Sequence, residues 1–266
     1  MLDSNIAGDK RVVIFICNKL RTPKIQQDVN LSISKVNIRL YICNMKAGVV
    51  IFPGSNCDQD LIQALRKHSS AEVVELWHKD TDLQGCTHIY IPGGFSYGDY
   101  LRSGAIAKLS PIMESVKQHA AKGGFVMGIC NGFQVLTESG LLPGALLRND
   151  NMKFVCKNVY LRTETASTSL TQGVEKGTML QIPIAHGEGR YYTDAETLDA
   201  LKANDQILFR YCDENGIVSG EANPNGSLEN IAGICNEGRN VFGMMPHPER
   251  CAFEWLLNMD GVGILA

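Results

Sequence analysis

Cys130 lies in the run Gly128-Ile129-Cys130-Asn131-Gly132, between an apolar β-branched stretch and a segment with helical spacing. A strand that turns straight into a helix leaves room only for small residues beside the turn, and glycine two positions to either side meets that need. A thiol presented there sits at a helix N-terminus, where backbone amides favour a thiolate and then an oxyanion. Read alone, the same run also fits a buried, inert cysteine flanked by glycines. A thiolate nucleophile works with a base, and the base with an orienting group. The segment Met245-Pro246-His247-Pro248-Glu249-Arg250 supplies both types. Two prolines restrict the backbone of His247, and the Glu249 carboxylate can hold one imidazole tautomer. By itself His247 reads as a turn histidine; beside the cysteine elbow it reads as a base. A third element, Ile91-Pro92-Gly93-Gly94-Phe95-Ser96-Tyr97-Gly98-Asp99, follows another apolar run. Consecutive glycines let a backbone N–H turn into a site and donate to an oxyanion. The stretch lacks the GK[ST] ending of a phosphate loop and the G-x-G-x-x-G spacing with a downstream acid, which disfavours nucleotide binding.

Such groups must be positioned by regular elements. Residues 47–52 (AGVVIF) read as a buried strand stopped by Pro53-Gly54-Ser55-Asn56, and Leu61, Ile62 and Leu65 give residues 58–68 helical spacing. Strands follow at 72–77 and 87–91, a helix at 105–121, a buried strand at 125–129 and a helix at 132–138. Strands alternating with helices predict a parallel sheet covered on both faces. The second half is less regular, with strands expected at 153–162, 179–184, 206–211 and 240–244 and helices at 195–202 and 252–257. With no repeat or linker, the expectation is one α/β domain with a mostly parallel sheet flanked by helices and the cysteine at a strand-to-helix elbow.

The 266 residues carry a net charge of −3 and a pI near 6.1, which gives no electrostatic footprint for nucleic acid. Nine cysteines without a CxxC pair or metal-ligand spacing predict no metal site and a reducing, cytoplasmic setting. No apolar run nears the roughly 20 residues that span a bilayer, so no membrane association is expected. Residues 1–44 hold seven Lys/Arg against three Asp/Glu, or +4, whereas residues 45–266 hold eighteen against twenty-five, or −7. The expectation is an N-terminal extension over 1–44, set apart from a catalytic domain over 45–266 that begins at the second methionine, Met45. Two strand-like runs, 12–17 and 38–43, leave open a hairpin added to a sheet edge or a cover over a surface patch. Asp3, Asp9 and Asp28 interrupt the acid-poor pattern of a mitochondrial address.

In chain order, the PGG strand end, the GxCxG elbow and the late HPE pair resemble class I glutamine amidotransferases. FPGSNCDQD at 52–60, PGGFSYGDYLRSGAIA at 92–107, GICNGFQVLTESGLLPGALLRN at 128–149, IPIAHGEGRY at 182–191 and MMPHPER at 244–250 are similar to the glutaminase subunits of phosphoribosylformylglycinamidine synthases of the small, separate-subunit type. The resemblance runs from Met45 to about Leu257. It implies a flavodoxin-like fold, with Cys130 as nucleophile, His247 as general base and acid, and Glu249 as its orienting carboxylate. It further implies oxyanion contacts at Gly93, Gly94 and Asn131, and glutamine contacts at Gln134, His186, Gly187 and Glu188. The cysteine would form a γ-glutamyl thioester and release ammonia to a large synthetase subunit, assisted by a small accessory subunit. That partner would carry ATP and magnesium, with no cofactor on this chain. Three alternatives are a glutaminase for a synthetase making pyridoxal phosphate or histidine, a scaffold with a decayed site, and a stress protein or hydrolase on a similar sheet. The FPGSNCD and PHPER runs disfavour the first, the intact Cys130, His247 and Glu249 the second, and the HPE pair the third.

Overall fold

The structure, a computed structural model, describes residues 45–265 apart from Gly173, together with three strands nearer the N-terminus: β1 (Val12–Ile16), β2 (Ser32–Ile33) and β3 (Val36–Ile42). The chain divides into two units, Met1–Met45 and Lys46–Ala266. In the first, β1 runs parallel to β3, and β2 pairs antiparallel with β3. The two strand-like runs therefore pair, but not as a hairpin.

In the second unit, β4 (Lys46–Ile51) is buried through its middle, as a strand covered on both faces must be. After the Pro53-Gly54 turn, α1 (Asp58–His68) buries the stripe Leu61, Ile62, Ala64 and Leu65. Acids in its first turn and bases in its last complement the helix dipole. Then come β5 (Glu72–Trp77), β6 (His88–Ile91), α2 (Pro111–Ala121), β7 (Phe125–Ile129) and α3 (Asn131–Glu138). The helix expected over 105–121 is broken. Ala107–Leu109 is a 3-10 turn and Ser110 is extended, at φ −65° and ψ 141°, because the residue before proline avoids the helical region. Pro111 instead opens α2 at its first position.

The remaining elements are β8 (Ala145–Leu147), β9 (Val155–Thr163), β10 (Met179–His186), β11 (Arg190–Tyr192), α4 (Ala195–Ala203), β12 (Ile207–Cys212), β13 (Ile231–Cys235), β14 (Val241–Met244) and α5 (Val262–Leu265). No helix forms over 252–257: only Glu254–Leu256 makes a 3-10 turn, and Leu257 is left-handed at φ 56°. Trp255, Leu256 and Leu257 are exposed there, so no apolar stripe supports a helix too short to nucleate alone.

Nine strands form one sheet in the order β10-β9-β12-β13-β14-β7-β6-β4-β5. From β14 to β5 every pairing is parallel; from β10 to β14 every pairing is antiparallel. The expected α/β architecture is present, and its parallel half carries β4, β6, β7 and β14. Those four parallel strands end on one edge of the sheet. The chain leaves β4 for β5 on one side and returns to β6 on the other, which makes a topological switch point, the usual place for a ligand crevice.

Candidate active site

Cys130 follows β7 directly and stands at φ 51° and ψ −105°, a conformation an L-residue holds only where its surroundings enforce it. Its N–H donates to the Met244 carbonyl at 2.7 Å, and its carbonyl accepts from Phe133 and Gln134 to start α3. The flanking glycines are sterically required. A Cβ at Gly132 would press into the Ile91 carbonyl, and one at Gly128 would come within 2.5 Å of the Gly132 carbonyl oxygen. The Cys130 thiol is 4% exposed and lies 3.8 Å from the Ala185 carbonyl at the end of β10.

His247 comes from the end of β14, fixed by its N–H donating to the Pro183 carbonyl at 2.9 Å. The 3-10 turn Pro248–Cys251 brings Glu249 back beneath the ring. Nδ1–H donates to Glu249 Oε1 at 2.7 Å, with both side chains 1% exposed. Nε2 is buried and has no hydrogen-bond partner among the described residues, which leaves it as the free position for proton transfer. Burial pushes the His247 pKa down, but the Glu249 carboxylate and Cys130 outweigh it and hold the imidazole well above its usual value.

A cavity of about 270 Å³ opens over Cys130, and a second of about 100 Å³ adjoins His247 and Arg250. Gly94, Phe95, Phe154 and Ala185 line both. Gly93 lets the His247 ring lie against the end of β6, since a Cβ there would come within 2.7 Å of its Cε1. Gly94 adopts φ +127°. The Asn131 side chain accepts from the Ser96 N–H at 3.1 Å and donates to Gln134 Oε1 at 2.8 Å, tying the elbow to the loop after β6.

Gln134, His186, Gly187 and Glu188 all line the larger cavity, but the first two are held in internal networks. Gln134 donates to the Glu188 carbonyl at 2.5 Å. His186 is 3% exposed and lies between Asn149 Oδ1 at 3.2 Å and Asn225 Nδ2 at 3.5 Å. Burial, reinforced by His247, lowers its pKa to about 4, so it is neutral at physiological pH. Sequence reasoning missed Asp99, Arg148 and Lys153, which line the same cavity. It also missed Cys57 as a site residue. Arg250 Nη2 donates to Cys57 Sγ at 3.0 Å, and donor atoms of Cys57, His247 and Glu249 lie within 4.8 Å of one another. These donor types could hold a metal ion, yet His247 and Glu249 already bond each other and the Arg250 cation lies on the sulfur. The arrangement suits proton transfer better.

The lowered pKa of His186 has a sign. Between pH 6.5 and about 4 the unfolded chain binds a proton there that the folded chain does not, so stability falls as pH falls through that window. We expect His186→Gln, which keeps hydrogen-bonding ability, to lose about 3 kcal/mol less than the parent between those pH values. Melting curves across pH 4 to 6.5 test this, and parallel curves for the two proteins would refute it.

Residues 44–261 match the family described as the CobB/CobQ-like glutamine amidotransferase domain, and the chain belongs to that family. Among its relatives, the phosphoribosylformylglycinamidine synthase subunit PurQ of Koribacter versatilis is 60% identical over 220 residues, 83% of this chain and 95% of that protein. The subunit of the same name from Acaryochloris marina is 55% identical over 218 residues, 82% of this chain and 93% of that one. A solved structure of PurLQS from Thermotoga maritima contains a chain 43% identical to this one, with a TM-score of 0.73, covering 83% of this chain and 95% of that chain. The glutaminase domain of Trypanosoma brucei CTPS, solved with bound acivicin, shares 11% identity at a TM-score of 0.54 over 83% of this chain and 91% of that chain, a likeness of fold alone.

Proposed function

We propose that this chain is the glutaminase subunit of a phosphoribosylformylglycinamidine synthase, acting in de novo purine biosynthesis. The observation that carries the proposal is the meeting of an elbow cysteine with the buried His247–Glu249 pair in a chain that spans 95% of a PurQ relative. Cys130 attacks the side-chain amide of glutamine, while backbone amides near Gly93 and Gly94 and at Asn131 receive the oxyanion. His247, protonated by virtue of Glu249 and Cys130, gives its proton to the departing ammonia. It then takes one from the water that hydrolyses the thioester. Gln134, His186 and Gly187 shape the substrate cavity through their networks, and Glu188 faces the substrate.

Ammonia passes to a large synthetase subunit working with a small accessory subunit, which converts formylglycinamide ribonucleotide to the amidine. ATP and magnesium belong to that partner and no cofactor to this chain. We place the protein in the cytoplasm; among the described residues no helix is long and apolar enough to cross a membrane. Residues 45–266 form the catalytic domain, and 1–44 are an extension outside it. Reconstitution tests the proposal. The chain, both partner subunits, magnesium-ATP, glutamine and the formyl substrate should yield amidine and glutamate in equal amounts. A chain starting at Met45 should do the same and melt within a few degrees of the full chain, corresponding to about 1 kcal/mol or less. Amidine formed from ammonium salts but never from glutamine would refute the assignment. Lost activity or a large loss of stability on truncation would show the extension to be integral.

A further inference from the structure

Tyr97 lies three residues beyond Gly94 in the loop after β6, yet it does not line the cavity over Cys130. Its hydroxyl meets His78 Nδ1 at 2.7 Å and Ser110 Oγ at 2.9 Å, and the Tyr97 and His78 rings cross edge to face with 5.4 Å between centroids. His78 is 2% exposed and follows β5 directly. Its backbone is fixed on two sides: the N–H donates to the Ile51 carbonyl at the end of β4 at 3.1 Å, and the carbonyl accepts from the Ile112 N–H in α2 at 3.2 Å. His78 Nε2 is buried with no hydrogen-bond partner among the described residues, so the ring has its polar hold at Nδ1 alone. Ser110 stands just before Pro111 at the start of α2. A buried imidazole and a serine of the framework thus fasten one phenol of the loop, and the chemistry assigned to Cys130, His247 and Glu249 uses none of the three.

That fastening bears on the amide groups of the loop. Tyr97 is left-handed at φ 55° and ψ 25°, and its N–H donates to the Pro53 carbonyl at 2.6 Å. A bulky L-residue stays in that region only where its surroundings compel it. The Phe95 N–H donates to the Gly54 carbonyl at 2.9 Å, the Ser96 N–H to Asn131 Oδ1 at 3.1 Å and the Gly98 N–H to the Phe95 carbonyl at 2.8 Å. Between 94 and 98, therefore, the Gly94 N–H alone has no partner among the described residues, and Gly94 borders the cavity over Cys130. An oxyanion donor has to be aimed to within about 0.5 Å before the charge develops, because a donor that must first be moved into place gives up part of its stabilisation.

We propose, resting on the glutaminase reading above, that Tyr97 and His78 are a pair of positioning residues that hold the Gly94 N–H on the oxyanion. The buried imidazole fixes the phenol, the phenol fixes the left-handed turn, and the turn aims the one free amide. Neither side chain lines the cavity, so their effect falls on the transition state and not on the binding of glutamine.

The test uses the reconstituted complex, with Cys130 titrated by a glutamine-like chloroketone so that turnover is expressed per reactive thiol. Tyr97→Phe keeps the ring and removes the hydroxyl. It should lower kcat for glutamine about tenfold and leave KM within about twofold, because an interaction made only in the transition state is weakened. Amidine synthesis from ammonium salts should not change. His78→Leu, which removes the partner of the phenol, should reproduce the loss. The double variant should cost no more than either single one, since the two side chains act as a unit. A parent-like kcat in Tyr97→Phe, a loss confined to KM, or losses that multiply in the double variant would each overturn the assignment. So would a shortage of reactive thiol that accounts for the whole loss, which would make Tyr97 merely structural. A parent complex that releases no ammonia from glutamine would overturn the glutaminase reading itself, whereas a working parent with an indifferent Tyr97→Phe would overturn the positioning role alone.

Discussion

Replacing Cys130 with serine should abolish amidine synthesis from glutamine while synthesis from ammonium salts continues undiminished. Serine nearly matches the side chain in size and leaves the elbow backbone at φ 51° as it is, so the fold and the partner surface survive. What disappears is the sulfur at a helix N-terminus beside His247, the atom that the proposed attack on the amide requires. The loss should be at least about 10⁴-fold, because members of such a constellation act as a unit. The ammonium control separates chemistry on this chain from chemistry on the partner. Retained glutamine use would assign Cys130 a structural role.

His247 and Glu249 should differ both in size of effect and in pH behaviour. His247→Ala removes proton transfer and should cost about 10²- to 10⁴-fold in glutamine-dependent turnover. Glu249→Gln leaves the ring in place and should cost less. It also removes the charge that opposes burial, so the imidazolium should lose its proton at lower pH than in the parent. The alkaline limb of the kcat/KM profile for glutamine, which reports that loss, should therefore move toward neutrality. An unmoved limb would deny Glu249 its electrostatic role. Equal and negligible effects of both substitutions would dismiss the triad.

The parallel half of the fold was legible because its strands are continuous apolar runs cut off by glycine and proline, as at 47–52 and 125–129. The antiparallel half was harder. β10 alternates cleanly between buried and more exposed residues, but β13 (IAGIC) is buried at every position and interrupted by Gly233, and β8 and β11 are three residues each. Short runs of that kind do not separate strand from loop by periodicity. The helix expected over 252–257 failed because apolar residues there face outward. At the site, local steric logic marked Cys130, and prolines marked His247. Nothing local marked Cys57, which meets Arg250 across 193 positions of sequence. Asp99 lay within a quoted motif together with Ser103, but only the fold brings Glu188 near them.

The central claim is that glutamine is cleaved through a thioester on Cys130. Rapid acid quenching of the complex during glutamine turnover, followed by peptide mapping, addresses it most directly. A γ-glutamyl adduct should appear on the Cys130 peptide alone among the nine cysteines, and should be absent from the Cys130→Ser chain. Glutamate accumulating with no adduct, or an adduct on Cys57 or another thiol, would contradict the account.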